Sequence, residues 1–166
     1  MSALPSDPGP RLIVFCDGAA RGNPGPAGIG VVVVDEDGRT VAELAQGIGP
    51  ATNNVAEYRA AVAGLRLAAE RGARSVLLRS DSRLLIEQLS GRFRVKNPTL
   101  RRLHEGARAL IKGFDQVTLE HVPRELNAEA DRLANEGVDA WLGDEGRDWR
   151  PPEPGPRLFE EEAEEE

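Results

Sequence analysis

The chain has 166 residues, with 21 basic and 28 acidic side chains and a net charge of −7. Its length is typical of one domain and excludes a protein of several large domains. Its net negative charge is expected to repel nucleic acids. However, residues 144–166 hold ten acidic residues against three arginines, so residues 1–143 carry 18 charges of each sign and are compatible with a nucleic-acid partner.

Composition divides the chain into three parts. Residues 1–10 are rich in Pro, Ser and Gly and are predicted to be a flexible leader. Residues 11–142 contain the apolar periodicity of a single folded domain. Residues 143–166 are rich in Pro and Glu, cannot bury enough apolar surface to fold, and are predicted to be a disordered acidic tail.

Hydrophobic periodicity within the domain predicts elements in the order βββαβααβα. Three strands joined by short turns indicate an antiparallel meander, and the later strands are reached through helices. This order predicts an α/β fold with a mixed five-stranded sheet flanked by helices. The predicted strands cover residues 12–16, 29–34, 40–47, 75–79 and 117–121, and the predicted helices cover 54–71, 81–89, 99–112 and 126–141, with 18–28 as a turn.

Cysteine usage and hydropathy bear on the compartment. Cys16 is the single cysteine, so an intrachain disulfide is excluded. The N-terminal residues lack the cationic start and apolar stretch of a secretory signal. No apolar run approaches the roughly 20 residues that span a bilayer. The sequence therefore predicts a cytoplasmic protein with no membrane insertion.

Two carboxylates lie next to predicted strands. Asp17 follows an apolar strand, where an unpaired charge is costly, although an exposed Asp can also begin a turn with Gly18. Asp81 follows the fourth strand, where it could alternatively cap the next helix, as could Ser80 or Ser82.

Two further carboxylates lie on predicted helices. Glu57 comes three residues after Asn54, which is also the spacing of a capping box. Asp131 is placed inside the last predicted helix, where Asp is unfavourable and has no capping role; the alternative is a solvent-exposed helix face.

Convergence of these four carboxylates at one edge of the sheet would require cations, because like charges in close proximity are unstable. Oxygen ligands suit Mg²⁺ or Mn²⁺. Two such ions can activate water and stabilise the departing oxygen of a phosphodiester. The pattern therefore indicates metal-dependent phosphodiester hydrolysis.

Several motifs occur in a characteristic order over about residues 11–140. They are Asp17-Gly18, Asn23-Pro24-Gly25, Thr52-Asn53-Asn54 followed by Glu57, Ser80-Asp81-Ser82, His121-Val122-Pro123, and Asn127 followed by Asp131. In this order and on this pattern of elements they resemble type 1 ribonuclease H.

The resemblance implies an endonuclease that cuts the RNA strand of RNA/DNA hybrids with two Mg²⁺ or Mn²⁺ ions, leaving 5′-phosphate and 3′-hydroxyl ends. It makes Asp17, Glu57, Asp81 and Asp131 the metal-binding and catalytic carboxylates. His121 matches the histidine of a mobile loop that helps proton transfer or product release. A histidine at a strand end is also an ordinary surface residue, and Arg124 or Glu125 could share the role.

The same resemblance implies a set of substrate-binding residues. Polar groups and small residues would contact the sugars and phosphates of the duplex while ignoring base identity. Helix capping alone is the alternative explanation for the neighbouring asparagines. The predicted substrate-binding residues are Gly18, Asn23, Thr52, Asn53, Asn54 and Asn127.

A basic segment follows the third carboxylate. Residues 83–112 hold eight Lys and Arg against two Glu, which predicts contact with the DNA backbone through a surface that includes Phe93, although a solvated helix face is the usual meaning of such a run. The segment lacks the extra helix and basic protrusion of the longer bacterial type, so the sequence resembles the compact form. The compact form is compatible with weaker hybrid affinity, or with a broader substrate range that includes double-stranded RNA.

Other functions remain compatible with the sequence. One is a non-catalytic nucleic-acid-binding module on the same fold, and another is an exonuclease or junction resolvase with a similar acidic cluster. A single domain of this size is expected to be a monomer. The Glu-rich end either keeps the protein soluble or competes with nucleic acid for the basic segment.

Overall fold

The computed structural model describes residues 10–152, so the predictions for the leader and most of the acidic tail concern residues 1–9 and 153–166, which lie outside the described part. All predicted elements are present in the predicted order. The strands are β1 (Arg11–Ala20), β2 (Gly25–Val34), β3 (Thr40–Ala51), β4 (Ser75–Ser80) and β5 (Gln116–His121). The helices are α1 (Asn53–Glu70), α2 (Arg83–Leu89), α3 (Pro98–Lys112) and α4 (Ala128–Leu142), with a 3₁₀ turn, Arg124–Asn127, before α4.

The strands form one mixed sheet in the order β3-β2-β1-β4-β5. β1, β2 and β3 pair antiparallel, whereas β4 pairs parallel with β1 and β5 pairs parallel with β4. The predicted α/β fold class is therefore confirmed. Across the part of the chain that the structure describes, no helix is long and apolar enough to cross a membrane.

The first hairpin differs from its prediction. Residues 18–28, expected to be a turn because of their Gly and Pro content, lie mostly in β1 and β2, and the pairing continues to Ala20 opposite Ala27. Only residues 21–24 connect the two strands. Glycine and proline lower the local strand propensity, but here the hydrogen bonds between two neighbouring strands outweigh it.

Helix boundaries also differ from the sequence prediction. The last helix begins at Ala128 rather than residue 126, because residues 124–127 form the 3₁₀ turn. The second helix begins at Arg83 rather than residue 81. Beyond α4, hydrogen-bonded turns continue as far as Trp149, whose backbone N–H donates to Gly146.

Helices cover both faces of the sheet. On one face α1 packs on β1 and β2, with α3 against α1, over an apolar core that includes Val14, Val31, Leu65 and Leu78. On the other face α4 packs on β1, β2 and β3. Burial of these apolar side chains is the main stabilising contribution.

Glycines allow α4 to approach the sheet closely. A Cβ atom placed on Gly30 of β2 would lie 2.0 Å from the carbonyl oxygen of Ala130 in α4, and one on Gly28 would lie 2.4 Å from that of Ala134. In the opposite direction, a Cβ on Gly137 of α4 would lie 2.5 Å from the backbone of Gln46. The helix therefore rests directly on strand backbone, and the absence of side chains at these positions sets its distance from β2 and β3.

We expect Gly30→Ala to destabilise the protein by about 1–3 kcal/mol, because the added methyl group forces α4 away from the sheet. Urea denaturation measures the change. The matched control is Gly106→Ala on α3, where a Cβ meets no atom within 4 Å; it should leave stability unchanged or raise it by up to about 1 kcal/mol, since alanine favours a helix. Equal stability of Gly30→Ala and the natural protein would contradict the close-packing argument.

Candidate active site

A cleft opens where β1 and β4 stop pairing. Their parallel register ends at Phe15 opposite Arg79, whereas β1 continues beyond this point paired only with β2. Asp17 lies two residues beyond that point on β1, and Asp81 directly follows the end of β4. Since the carboxyl ends of neighbouring parallel strands lie at one edge of a sheet, both carboxylates reach the same cleft.

Helix α1 contributes the third carboxylate. Gly18 has no side chain, and a Cβ there would lie 2.5 Å from the backbone nitrogen of Glu57. This close contact lets the backbone N–H of Gly18 donate to Glu57 Oε1 at 3.1 Å. As a result, one oxygen each of Asp17, Glu57 and Asp81 lies within 4.8 Å of the others.

Asp131 approaches the same cleft from α4 on the opposite face. Its side chain lines the cleft together with the three clustered carboxylates. The four carboxylates therefore come from four separate segments of the chain, as the sequence pattern predicted.

The structure decides between the alternatives for each carboxylate. Asp17 is 4% exposed and lies within a strand, so it does not begin an exposed turn. Thr52 caps α1 and Ser82 caps α2, which leaves Glu57 and Asp81 without capping roles. Asp131 is partly buried in the first turn of α4, a position where the helix dipole favours a negative charge.

Burial and mutual repulsion shift the acidity of the cluster. Burial, followed by the negative charge of Glu57 and the hydrogen bond with Asp131, raises the pKa of Asp17 far above its usual range. Burial and then the charge of Asp81 raise the pKa of Glu57, although the N–H of Gly18 opposes this shift. Without a cation, the cluster therefore retains protons near neutral pH.

The donor set fits a hard divalent cation. Three carboxylates offer oxygen atoms within a few ångströms of one another, and Mg²⁺ and Mn²⁺ prefer such ligands. A bound dication would also reverse the unfavourable ionisation of the cluster. Asp17, Glu57 and Asp81 are the residues placed to hold it, with Asp131 beside them.

The other residues predicted for the site occupy different positions around the cleft. His121 ends β5, pairs in register with Ser80 and lines the cleft. Asn53 is exposed at the start of α1 and also lines it. Asn23 accepts a hydrogen bond from the backbone N–H of Asn53 at 2.9 Å, which joins the first hairpin to the helix start.

Three predicted substrate-binding residues have structural contacts of their own. Gly18 packs on α1, and Thr52 accepts the N–H of Val55 through Oγ1 at 3.2 Å. Asn127 is 1% exposed, so it lies behind the carboxylates rather than at the surface. Its Nδ2 donates to the carbonyl of Cys16 at 2.9 Å and approaches Asp81 Oδ1 at 3.4 Å. Asn54, the remaining member of this predicted set, is partly buried in the first turn of α1.

Sequence reasoning did not single out Asn135, which lines the cleft one turn after Asp131. The spacing of four residues on a helix places the two side chains on the same face, and this signal was available in the sequence.

Comparisons with known proteins agree with this geometry. The family model described as "Reverse transcriptase-like" matches residues 15–137, which establishes the class of domain. Ribonuclease HI of Halobacterium salinarum is 50% identical over 133 residues, covering 80% of this chain and 67% of that protein. The crystal structure of RNase H1 from the same archaeon superimposes with a TM-score of 0.77 at 49% identity, covering 78% of this chain and 98% of that one.

A second relative places the domain within a longer protein. The bifunctional protein Rv2228c of Mycobacterium tuberculosis is 50% identical over 131 residues, and the match spans 78% of this chain but only 36% of that protein. The structure of LC11-RNase H1 in complex with an RNA/DNA hybrid superimposes with a TM-score of 0.75 at 42% identity, covering 79% of this chain and 99% of that one. The chain belongs to the type 1 ribonuclease H family, and the resemblance of the sequence motifs is confirmed.

The raised pKa values predict a pH-dependent stability in the absence of metal. Asp17 and Glu57 keep protons in the folded state that they lose above about pH 4 when unfolded, so the metal-free protein should lose stability as the pH rises toward the folded pKa values, by up to about 1.4 kcal/mol per pH unit for each proton. Asp17→Asn should weaken this dependence and raise the melting temperature at neutral pH. Thermal denaturation in EDTA at several pH values measures both effects.

Mg²⁺ provides the control for this experiment. Added to the natural protein, it should restore stability at neutral pH, whereas Asp17→Asn should respond less. Identical pH profiles for the two proteins in EDTA would show that burial and the neighbouring charges do not raise the pKa of the Asp17 carboxyl.

Proposed function

We propose that the protein is an endoribonuclease that hydrolyses the RNA strand of RNA/DNA hybrids using two divalent metal ions, leaving 5′-phosphate and 3′-hydroxyl ends. The observation that carries the proposal is the convergence of Asp17, Glu57 and Asp81, with Asp131 beside them, in an open cleft. Such an arrangement stabilises an empty protein poorly, and a binding-only module would have no need of it.

Bound Mg²⁺ or Mn²⁺ would supply the activation of water and the stabilisation of the departing oxygen. The chain's own contribution is to hold the ions and the RNA backbone in one orientation. Glu57 is fixed by the N–H of Gly18 and Asp81 by the amide of Asn127. Rigid placement of ligands on strands and helices favours this kind of catalysis.

His121 is the proposed proton-transfer residue. It is exposed at the end of β5 and faces the cleft beside Asp81, within a segment that is anchored by the N–H of Val122 donating to Ser80. An imidazole can act as a general acid and donate a proton to a leaving oxygen. Arg124, whose guanidinium lies 3.9 Å from Asp81 Oδ2, is the second basic group at this rim.

Hybrid recognition is supported by the polar groups that line the cleft and by a solved relative bound to an RNA/DNA hybrid. A hybrid presents 2′-hydroxyl groups in a wide, shallow minor groove. The exposed amide of Asn53 and the backbone of Gly18, Ala19 and Ala20 line the cleft, where they can hydrogen-bond to sugars without reading bases. Asn23, Thr52 and Asn54 support the same helix start.

The basic loop between α2 and α3 is the proposed contact for the DNA strand. Among the described residues, Arg94 and Lys96 of this loop and Arg102 of the adjoining helix α3 have no acidic partner within salt-bridge distance, and all three are exposed. Their charge is therefore available to phosphates. As predicted for the compact form, α2 and α3 are the helices found between β4 and β5 in the described chain.

Buried hydrogen bonds connect this loop to α1, the helix that carries Glu57. Tyr58, next to Glu57, donates to Gln88 Oε1 at 2.6 Å, and Gln88 Nε2 donates to the carbonyl of Arg94 at 2.9 Å. Gln88 is fully buried. The loop thus has a defined position relative to the cleft, as a duplex that contacts both would require.

Cleavage of strand-labelled substrates tests the function. With Mg²⁺, the natural protein should cut the RNA strand of a hybrid internally and leave double-stranded DNA intact. Glu57→Gln should lose more than about 100-fold in activity, since even the partners of metal ligands contribute about 10- to 100-fold. The matched control is Glu70→Gln at the exposed end of the same helix, which should retain full activity.

Each outcome identifies a different function. Full activity of Glu57→Gln would contradict the metal-site assignment. Hybrid binding without cleavage by the natural protein would indicate a non-catalytic module, and cleavage from strand ends or at four-way junctions would indicate another nuclease type. Cleavage of double-stranded RNA beside the hybrid would extend the proposal to broader specificity.

Replacing Arg94 and Lys96 together by Gln should weaken hybrid binding at low salt and reduce the slope of log affinity against log salt by about one for each lost phosphate contact. Fluorescence anisotropy over a salt series measures the slope. Arg39→Gln, in the exposed turn at the other end of the sheet, is the control. An unchanged slope in the double variant would place the DNA strand elsewhere.

Two further expectations belong to this proposal. A monomer is sufficient, because all four carboxylates come from one chain. A reducing cytoplasmic location agrees with Cys16, which is free and buried.

A further inference from the structure

A chain of hydrogen bonds connects an arginine outside the cleft to Asp131, one of the four carboxylates that line the cleft. Arg21 lies in the connection between β1 and β2, where its backbone N–H donates to the carbonyl of Pro26 at 2.8 Å. Its guanidinium reaches across to α4: Nη1 donates to Asp139 Oδ1 at 2.7 Å, and Nη2 donates to Asn135 Oδ1 at 3.2 Å and to the Asn135 carbonyl at 3.3 Å. One side chain therefore binds two successive turns of the helix.

This contact fixes which way the Asn135 amide points. A guanidinium only donates hydrogen bonds, so the oxygen of the amide must face Arg21 and the NH₂ group must face the other way. That NH₂ group donates to the Asp131 carbonyl at 3.0 Å and approaches Asp131 Oδ1 at 3.5 Å. Rotation of the amide by 180° would place an oxygen against the carboxylate and lose both donors.

Asp131 is the carboxylate that most needs such support. Asp17, Glu57 and Asp81 form the compact cluster, whereas Asp131 stands outside the group of three on a helix that contacts the sheet from the other face. Its neighbour Asp17 is another carboxyl group, and the amide that reaches the Asp131 carboxylate from its own helix is that of Asn135. Groups behind a ligating carboxylate commonly set its orientation.

We propose that Arg21 and Asn135 are positioning residues that orient the Asp131 carboxylate toward the three clustered carboxylates. The proposal rests on the proposed function in taking Asp131 as a metal ligand. Neither residue needs to touch the substrate: Arg21 acts through Asn135, and Asn135 acts through its amide hydrogens.

The alternative is that Arg21 only ties the hairpin to α4 through its ion pair with Asp139. Arg21→Lys separates the two roles, because lysine keeps a charge for Asp139 but lacks the planar fork that also bonds Asn135. Asn135→Ala removes the amide and places a stronger helix former in α4, so loss of function cannot be due to a weaker helix. The control is Arg132→Met, which removes an α4 arginine paired with Glu129 and Glu136 on the same helix.

Three measurements test the proposal: melting temperature, steady-state cleavage of an RNA/DNA hybrid at varied Mg²⁺, and Mn²⁺ binding to the free protein followed by water-proton relaxation. Arg21→Lys and Asn135→Ala should keep the melting temperature and the KM for hybrid, and lower kcat by about 10- to 100-fold. They should also weaken Mn²⁺ binding and raise the Mg²⁺ concentration needed for half-maximal activity by a similar factor. Arg132→Met should match the natural protein in kcat and metal binding.

Normal kcat and Mn²⁺ affinity in both variants would overturn the proposal and leave Arg21 as a structural tie. A lowered melting temperature with unchanged metal binding would do the same. If the natural protein does not cleave hybrids, the proposed function fails, but the Mn²⁺ titration still decides whether Arg21 and Asn135 position Asp131.

Discussion

Mutual repulsion among the carboxylates of the cleft is the constraint on which the rest of the site depends. Asp17 is almost fully buried, and Glu57 and Asp81 hold oxygens within 4.8 Å of it and of each other. A fold gains nothing in stability from such a cluster, since desolvation and like charge both oppose ionisation. The arrangement persists because the surrounding backbone holds each residue in place. A bound dication would neutralise the negative charges that otherwise repel one another.

Close backbone packing provides this fixation. Gly18 brings β1 against α1, so that Glu57 receives a backbone hydrogen bond, and Gly30 brings β2 against α4 beside Asp131. Hydrogen bonds from Asn127 and Asn135 then reach two of the carboxylates. The protein thus uses small residues to set distances between elements and amide side chains to set the orientation of the ligands.

The sequence predicts the fold class and the four carboxylates because both depend on local signals: apolar periodicity for the elements and a fixed order of motifs for the site. The glycines and prolines of residues 18–28 predict a turn locally, whereas pairing with a neighbouring strand places most of these residues in the sheet. The sequence predicts the start of α4 too early because a 3₁₀ turn and an α-helix have similar local patterns.

Contacts between distant segments could not be predicted in this way. The motif pattern predicts that Asn127 contacts the substrate, but the burial of Asn127 depends on how the 3₁₀ turn folds against β1 and Asp81. The hydrogen bond from Arg21 to Asn135 joins residues 114 positions apart, and no local sequence pattern predicts that these two residues pair. The sequence therefore predicts which groups carry the chemistry, and the three-dimensional structure is needed to find the groups that hold them.

Direct location of the metal tests the central claim, that the carboxylate cluster is a divalent-cation site. Crystals of the protein soaked with Mn²⁺ and measured near the manganese absorption edge would give an anomalous difference map. We expect the strongest peak to lie among the carboxylate oxygens of Asp17, Glu57 and Asp81, with Asp131 facing the same site. A map in which this cluster has no peak while Mn²⁺ binds elsewhere on the surface would contradict the account.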